Sequence, residues 1–356
     1  MSLEDKAAQL IFVHIYGGHA DGGVAELDDS NKRLYGVASP REVIEGLQPG
    51  GVIYIKRNPQ DAAAADIPTR NLESLNQLRA LSTALQDASA TGLLIATDQE
   101  QGPVRRLPPP ASVVLGGREL GATGDVDLAR SIAKTTGQEL LEVGINLNLA
   151  PVADVNTVAD NPAIGDRSFG NSPELVAAMV TAQIRGYHDA GVAATAKHFP
   201  GHGAATVDSH SDLTLIDISE EEWKLTHLPP FAAAITADVD AIMTGHLLAP
   251  GLGGDDPATI DRDVVEGLLR GQLAFPGLIL TDSLWMQGVR GVAGDVEVAL
   301  RALEAGCDVL LMPPDARATI HGIIEAVATG RLSEARLDHS VRRLLTLKAK
   351  LGALKP

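Results

Sequence analysis

A single cysteine, Cys307, stands in a chain of 356 residues. An intrachain disulfide and a thiolate metal cluster are therefore both excluded, and within CDVLLM this residue reads as a small buried hydrophobe. Basic residues are scarce: 29 Lys and Arg face 46 Asp and Glu, a formal charge of −17. So acidic a chain argues against nucleic acid or an anionic membrane as partner. No run approaches the ~18 apolar residues that a membrane span needs. The opening MSLEDKAAQL lacks the basic segment and apolar stretch of a signal peptide, which points to the cytoplasm. No G-x-G-x-x-G follows the first apolar run and no G-x-x-x-x-G-K-[ST] occurs, so the main nucleotide cradles are missing and no cofactor is expected.

What remains is globular, with 45% hydrophobic residues and a mean hydropathy of +0.06. Short apolar runs recur between Gly, Pro, Asp and Asn: QLIFVHIYGG, GGVIYIKRN, GLLIATDQE, INLNLAPVAD, VAATAKHFPG, AIMTGHL, GLILTDS and CDVLLMPP. Continuous rather than alternating apolar character is what strands buried on both faces require, as in a parallel sheet. Between most of them lie helical patterns such as NLESLNQLRALSTALQDA, DVDLARSIAKTTGQELLEVG and SPELVAAMVTAQIRGYHDAG. Several open on Asp or Ser and close near Gly, as capped helices do. Eight strands alternating with helices predict an α/β protein with a closed (β/α)8 barrel; the alternative is a doubly wound open sheet. No long linker divides the chain, so residues 1–356 are read as one domain, its last amphipathic helix closing the barrel.

A barrel demands that functional residues sit just after the strands. They do so here. TDQEQGPVRR after the third run carries Asp98, Glu100, Arg105 and Arg106; the loop after the fourth carries Asp154, Asp166 and Arg167. The fifth run leads into AKHFPGHGAATVDSH, with Lys197, His198, His202, Asp208 and His210 in one polar stretch; His246 follows the sixth and Asp282 the seventh. Three histidines and an aspartate have the chemistry of metal ligands. Metal-dependent barrel hydrolases, however, carry His-x-His after the first strand, where this chain has FVHIYGGH, and Lys197 is a cation beside the group. No metal is expected.

KHFPGHG followed by DSH, with NPAIGDRSFG and GLILTDSLWM in the same order, resembles the family-three glycoside hydrolases. Within them the chain is similar to the bacterial β-N-acetylglucosaminidases of the peptidoglycan-recycling type. The resemblance runs from LEDKAAQLIF to RLDHSVRRLLTLKAKLG; DQEQGP stands where relatives often read Asp-Gln-Glu-Gly-Gly-Arg. It implies a small carbohydrate as substrate and a retaining hydrolysis. Asp282 would be the nucleophile and His210 the acid/base, with Asp208 holding and charging its imidazole. Asp98, Arg106, Arg167, Lys197 and His198 match the family's sugar-binding positions. A phosphate-using phosphorylase is the alternative on the same fold. Glu100 and Asp166 are expected to orient the neighbouring arginines, Arg105 to be a solvated salt bridge, and His202 and Gly203 to shape the loop. Trp223 is expected to pack, Trp285 to wall the site or fill the core, and His246 to line the pocket or stand behind it.

Overall fold

The computed structural model describes residues 1–209 and 213–355. Its centre is an eight-stranded parallel sheet: β1 (Ile11–His14), β2 (Gly51–Tyr54), β3 (Leu94–Thr97), β4 (Leu147–Asn148), β5 (Ala193–Phe199), β6 (Ala241–Thr244), β7 (Leu278–Thr281) and β8 (Leu310–Leu311). Each strand pairs with the next in chain order, and β8 returns to β1. A parallel bridge between Leu280 and Val309 joins β7 to the approach of β8 and closes the barrel. Every one of the eight apolar runs became a strand. All residues of β1, β2, β3, β6 and β7 are buried, as expected where helices cover one face and the opposite wall of the barrel the other.

The helices follow from local signals. Ser74, Asp125, Ser172 and Ser333 each accept a hydrogen bond from the third amide of the helix they open (Leu75–Ala88, Val126–Glu142, Pro173–Ala190, Glu334–Lys350). Ala190 is followed by Gly191 at φ 84°, a left-handed stop that glycine adopts without strain. Inside the barrel, Phe12, Leu94, Leu147, Met243, Leu280 and Leu311 form part of a continuous apolar filling. The mouth is therefore the place left for polar chemistry. Cys307 is fully buried, as anticipated. No helix among the described residues is long and apolar enough to cross a membrane.

Candidate active site

Beyond β3 the chain keeps the alternation of a strand, which turns Asp98 and Glu100 to one side and Gln99 to the other. The Asn148 side chain clamps the Gln99 backbone, accepting from its N–H at 3.0 Å and donating to its carbonyl at 3.0 Å. Gln99 Oε1 in turn accepts from the N–H groups of Arg106 (2.7 Å) and Leu107 (3.0 Å), folding the loop back over the mouth. A short polar strand, β4, thus fixes the backbone that carries both acids.

Glu100 is the hub. Its carboxylate receives Arg167 in a fork (Nε to Oε2 and Nη2 to Oε1, both 2.8 Å) and Lys197 Nζ at 2.7 Å. Lys197 also donates to Asp98 Oδ1 at 2.8 Å, and Arg167 Nη1 to the Ala163 carbonyl at 2.8 Å. Lys197 is 2% exposed, so its methylene stem is core while its charge is held by two carboxylates. Burial alone would raise the Glu100 pKa; Arg167 and then Lys197 outweigh it and hold the carboxyl well below the usual range. Burial would lower the Lys197 pKa, and Asp98 and Glu100 raise it instead. Two acids and two bases leave the quartet neutral overall, the condition under which charges can stay buried.

His198 is set by a different acid. Asp154, fully buried, faces His198 Nδ1 at 2.8 Å and accepts the backbone N–H groups of His198 (3.2 Å) and His202 (2.7 Å). Burial would raise the Asp154 pKa, but His198 lowers it, so an ionised acceptor faces Nδ1, which must carry the proton. The Nε2 lone pair then meets the Arg167 Nη2 donor at 3.4 Å. His202, pushed down to about 4 by burial and then by His198, is neutral and bonds Ser209 Oγ through Nε2 at 2.8 Å. Gly203 runs so close to Val155 that a Cβ would lie 1.8 Å from the Val155 carbonyl oxygen, which only glycine avoids. Trp223, 1% exposed, donates Nε1 to the Pro200 carbonyl at 2.8 Å. His202, Gly203 and Trp223 shape and pin the loop, as expected.

Asp282 is the first residue after β7, half-buried, with the Ser283 N–H donating to its Oδ1 at 2.7 Å. Behind it His246 is fully buried between Thr259 Oγ1 and the Ser283 carbonyl, both 2.9 Å, and does not line the cavity. Asp98, Arg106, Arg167, Lys197, His198 and Asp282 line one cavity of about 230 Å3 at the C-terminal mouth. Asp208 is half-buried in the segment after β5 and is not among the described residues of that wall. The Ser209 carbonyl beside it accepts from Gly288 N–H at 3.2 Å, bringing this segment against the one that follows β7. His210 lies outside the described residues.

Two expectations are corrected. Asp166 does not orient Arg167: the short turn Gly165–Arg167 sends it outward to Arg118, at 2.7 Å. Arg105, expected in a solvated salt bridge, makes no ion pair among the described residues. Trp285 is buried, its ring under the Arg290 guanidinium and edge-on to His14, and it is not part of the cavity wall. Sequence reasoning missed Arg57, Asn58 and Gln60, which line the cavity from the β2 loop. For Arg57 and Asn58 the signal was the polar end of GGVIYIKRN, directly after a strand. Among the described residues no group of three or more His, Cys, Asp or Glu is placed to hold a metal ion.

The model of the family described as Glycosyl hydrolase family 3 N terminal domain matches residues 2–347. A protein named beta-hexosaminidase A from Pseudoalteromonas piscicida is 34% identical over 336 residues, 87% of this chain and 55% of its own length. A beta-hexosaminidase from Xylella fastidiosa is 37% identical over 287 residues, covering 78% of this chain and 84% of that one. The structure of a glycoside hydrolase family 3 beta-N-acetylglucosaminidase from Paenibacillus sp. FPU-7 superposes with a TM-score of 0.89 at 39% identity, over 99% of this chain and 63% of that one. The chain thus spans about half to two thirds of the Pseudoalteromonas and Paenibacillus proteins.

Proposed function

The chain belongs to glycosyl hydrolase family 3, and from that membership we propose that it is a retaining β-N-acetylhexosaminidase. It would release terminal β-linked N-acetylglucosamine from peptidoglycan fragments or chitooligosaccharides, and residues 1–356 would form one catalytic barrel domain. The observation that carries the reading is the convergence of Asp98, Arg106, Arg167, Lys197, His198 and Asp282, from four strand ends, on one cavity. Relatives named for hexosaminidase activity support the substrate class.

In this reading the Asp282 carboxylate attacks the anomeric carbon as the bond to the leaving oxygen breaks, and His210 gives that oxygen its proton. Asp208 holds the imidazole and stabilises its charged form. Water, losing a proton to the same imidazole, then displaces Asp282, and the sugar leaves with its β configuration. Asp98 accepts from sugar hydroxyls. Arg106, Arg167 and Lys197 donate to hydroxyl oxygens with charge-assisted bonds, and His198 completes the grip. Because Glu100 and Asp154 hold Arg167, Lys197 and His198 before substrate arrives, little reorganisation is left for binding.

Turnover of aryl β-N-acetylglucosaminide against aryl β-glucoside, with and without inorganic phosphate, tests the reading. Strong preference for the first and free N-acetylglucosamine as product are expected; a glycosyl phosphate would make it a phosphorylase. A 5-fluoro glycosyl donor should leave its adduct on Asp282, and Asp282→Ala should lose nearly all turnover while still binding sugar. An adduct on Asp98 sinks the assignment.

A further inference from the structure

In a chain of net charge −17, one sector of the cavity rim is cationic. Lys56 and Arg57 stand on the β2 loop, Arg105 and Arg106 on the β3 loop. Arg57 and Arg106 both line the cavity, and Lys56 and Arg57 line the surface hollow that adjoins it. None of the four makes an ion pair among the described residues. The neighbouring acids are engaged elsewhere: Glu73 lies 3.8 Å from Arg70, Asp61 pairs with Arg33, and Asp98 is held by Lys197. Lys56 sits below its ordinary pKa through burial and then through Arg106 and Arg105, a sign that these cations crowd one another. Between them Asn58, 1% exposed, lines the cavity with its amide nitrogen unpartnered, and Arg106 Nε is buried without an acceptor. Buried donors are rarely left unmatched. This wall offers unmatched donors and an excess of positive charge.

Closure of the barrel says which part of a substrate would meet it. In the strand order β3 and β7 stand four places apart either way round, so Asp98 faces Asp282 across the mouth. The segment of Asp208 packs on the β7 side. A pyranose whose C1 lies at Asp282 therefore turns its far edge, C4 and the exocyclic C6 included, toward β3 and the loops that flank it, of which the β2 loop is the cationic one. Its leaving group points the other way.

We propose that the Lys56, Arg57 and Asn58 wall is a recognition site for an anionic ester, phosphate or sulfate, on O6 of the terminal N-acetylhexosamine. The inference rests on the hydrolase reading for the direction of the sugar. It makes the chain selective at the edge of the sugar remote from the reacting bond.

The test compares kcat/KM for 4-nitrophenyl β-N-acetylglucosaminide, its 6-O-sulfate and its 6-O-phosphate, in the native chain and in Arg57→Gln and Lys56→Gln. Both side chains are exposed, so neither change threatens folding. A preference of about tenfold for at least one ester is expected, the worth of one charge-assisted hydrogen bond. It should fall toward parity in both variants, while in Lys56→Gln the unesterified substrate stays within about twofold. No ester preference, or an equal loss on all substrates in the variants, overturns the proposal. Free sulfate that changes turnover of the unesterified substrate, with no ester preference, assigns the wall to a free anion and also overturns it. Calorimetric binding of the 6-sulfate and 6-phosphate sugars against N-acetylglucosamine reads the same preference without turnover. An inert aryl substrate with retained ester preference therefore counts against the hydrolase reading alone, and an active one without it against this inference alone.

Discussion

Glu100→Gln isolates the hub of the site. The glutamate receives three charged donors within 2.8 Å, two from Arg167 and one from Lys197, at a position 8% exposed. Glutamine keeps the shape but has one acceptor oxygen, and its amide N–H groups must face a guanidinium or ammonium that also only donates. The quartet passes from neutral to one excess positive charge, buried. Removing one partner of a buried ion pair costs about 3–5 kcal/mol, roughly a fifth or more of a total stability that is typically ~5–15 kcal/mol. The loss should depend on pH with a definite sign. A carboxyl depressed in the folded state stabilises above its unfolded pKa of ~4.3 and loses that contribution as pH falls toward the folded value. Urea unfolding at pH 7 should show the full deficit, and below about pH 4.3 the deficit should begin to shrink, progressively as pH falls. Any activity left at pH 7 should show a raised KM, because Arg167 loses its fork. A deficit under about 1 kcal/mol at pH 7 would refute the hub, since that is the worth of an exposed pair. A deficit unchanged at pH 3.5 would refute the electrostatic cause.

Asp154→Asn should lower kcat/KM at least tenfold, because His198 loses its ionised partner and can flip its tautomer; a flatter or shifted pH profile of kcat/KM would separate this from simple unfolding. His210→Ala should spare the first step with a dinitrophenyl leaving group and cost ~10²–10⁴-fold with an alkyl or sugar one. A burst and azide rescue should accompany it, with Asp208→Ala weaker in the same direction. Equal slowing of both substrates would reduce His210 to a binding or structural role. Activity should survive EDTA; loss with rescue by Zn²⁺ would revive a metal-dependent mechanism. Gly203→Ala should destabilise the barrel by several kcal/mol in thermal melts, since its methyl would overlap the Val155 carbonyl; a melting point within a degree of the native chain would show that the segment can move aside.

The strand beat and the mouth were legible in the chain itself. Eight apolar runs between turn residues need cover on both faces, and only helices alternating with parallel strands supply it; the polar residues then fall at strand ends because the interior has no place for them. Partnership was not legible, because pairing is decided by which strand ends closure sets side by side. Asp166 and Arg167 are neighbours in sequence, yet one short turn points the first at solvent and the second into the mouth. Glu100 finds its ammonium 97 residues on, at Lys197, and Asp154 finds its imidazole at His198, because β3, β4 and β5 are adjacent staves. Arg57 went unread in the sequence because its place at the mouth depends on the β2 and β3 loops lining one cavity. Periodicity along one chain reports which way a side chain faces; what it faces is a property of the closed barrel.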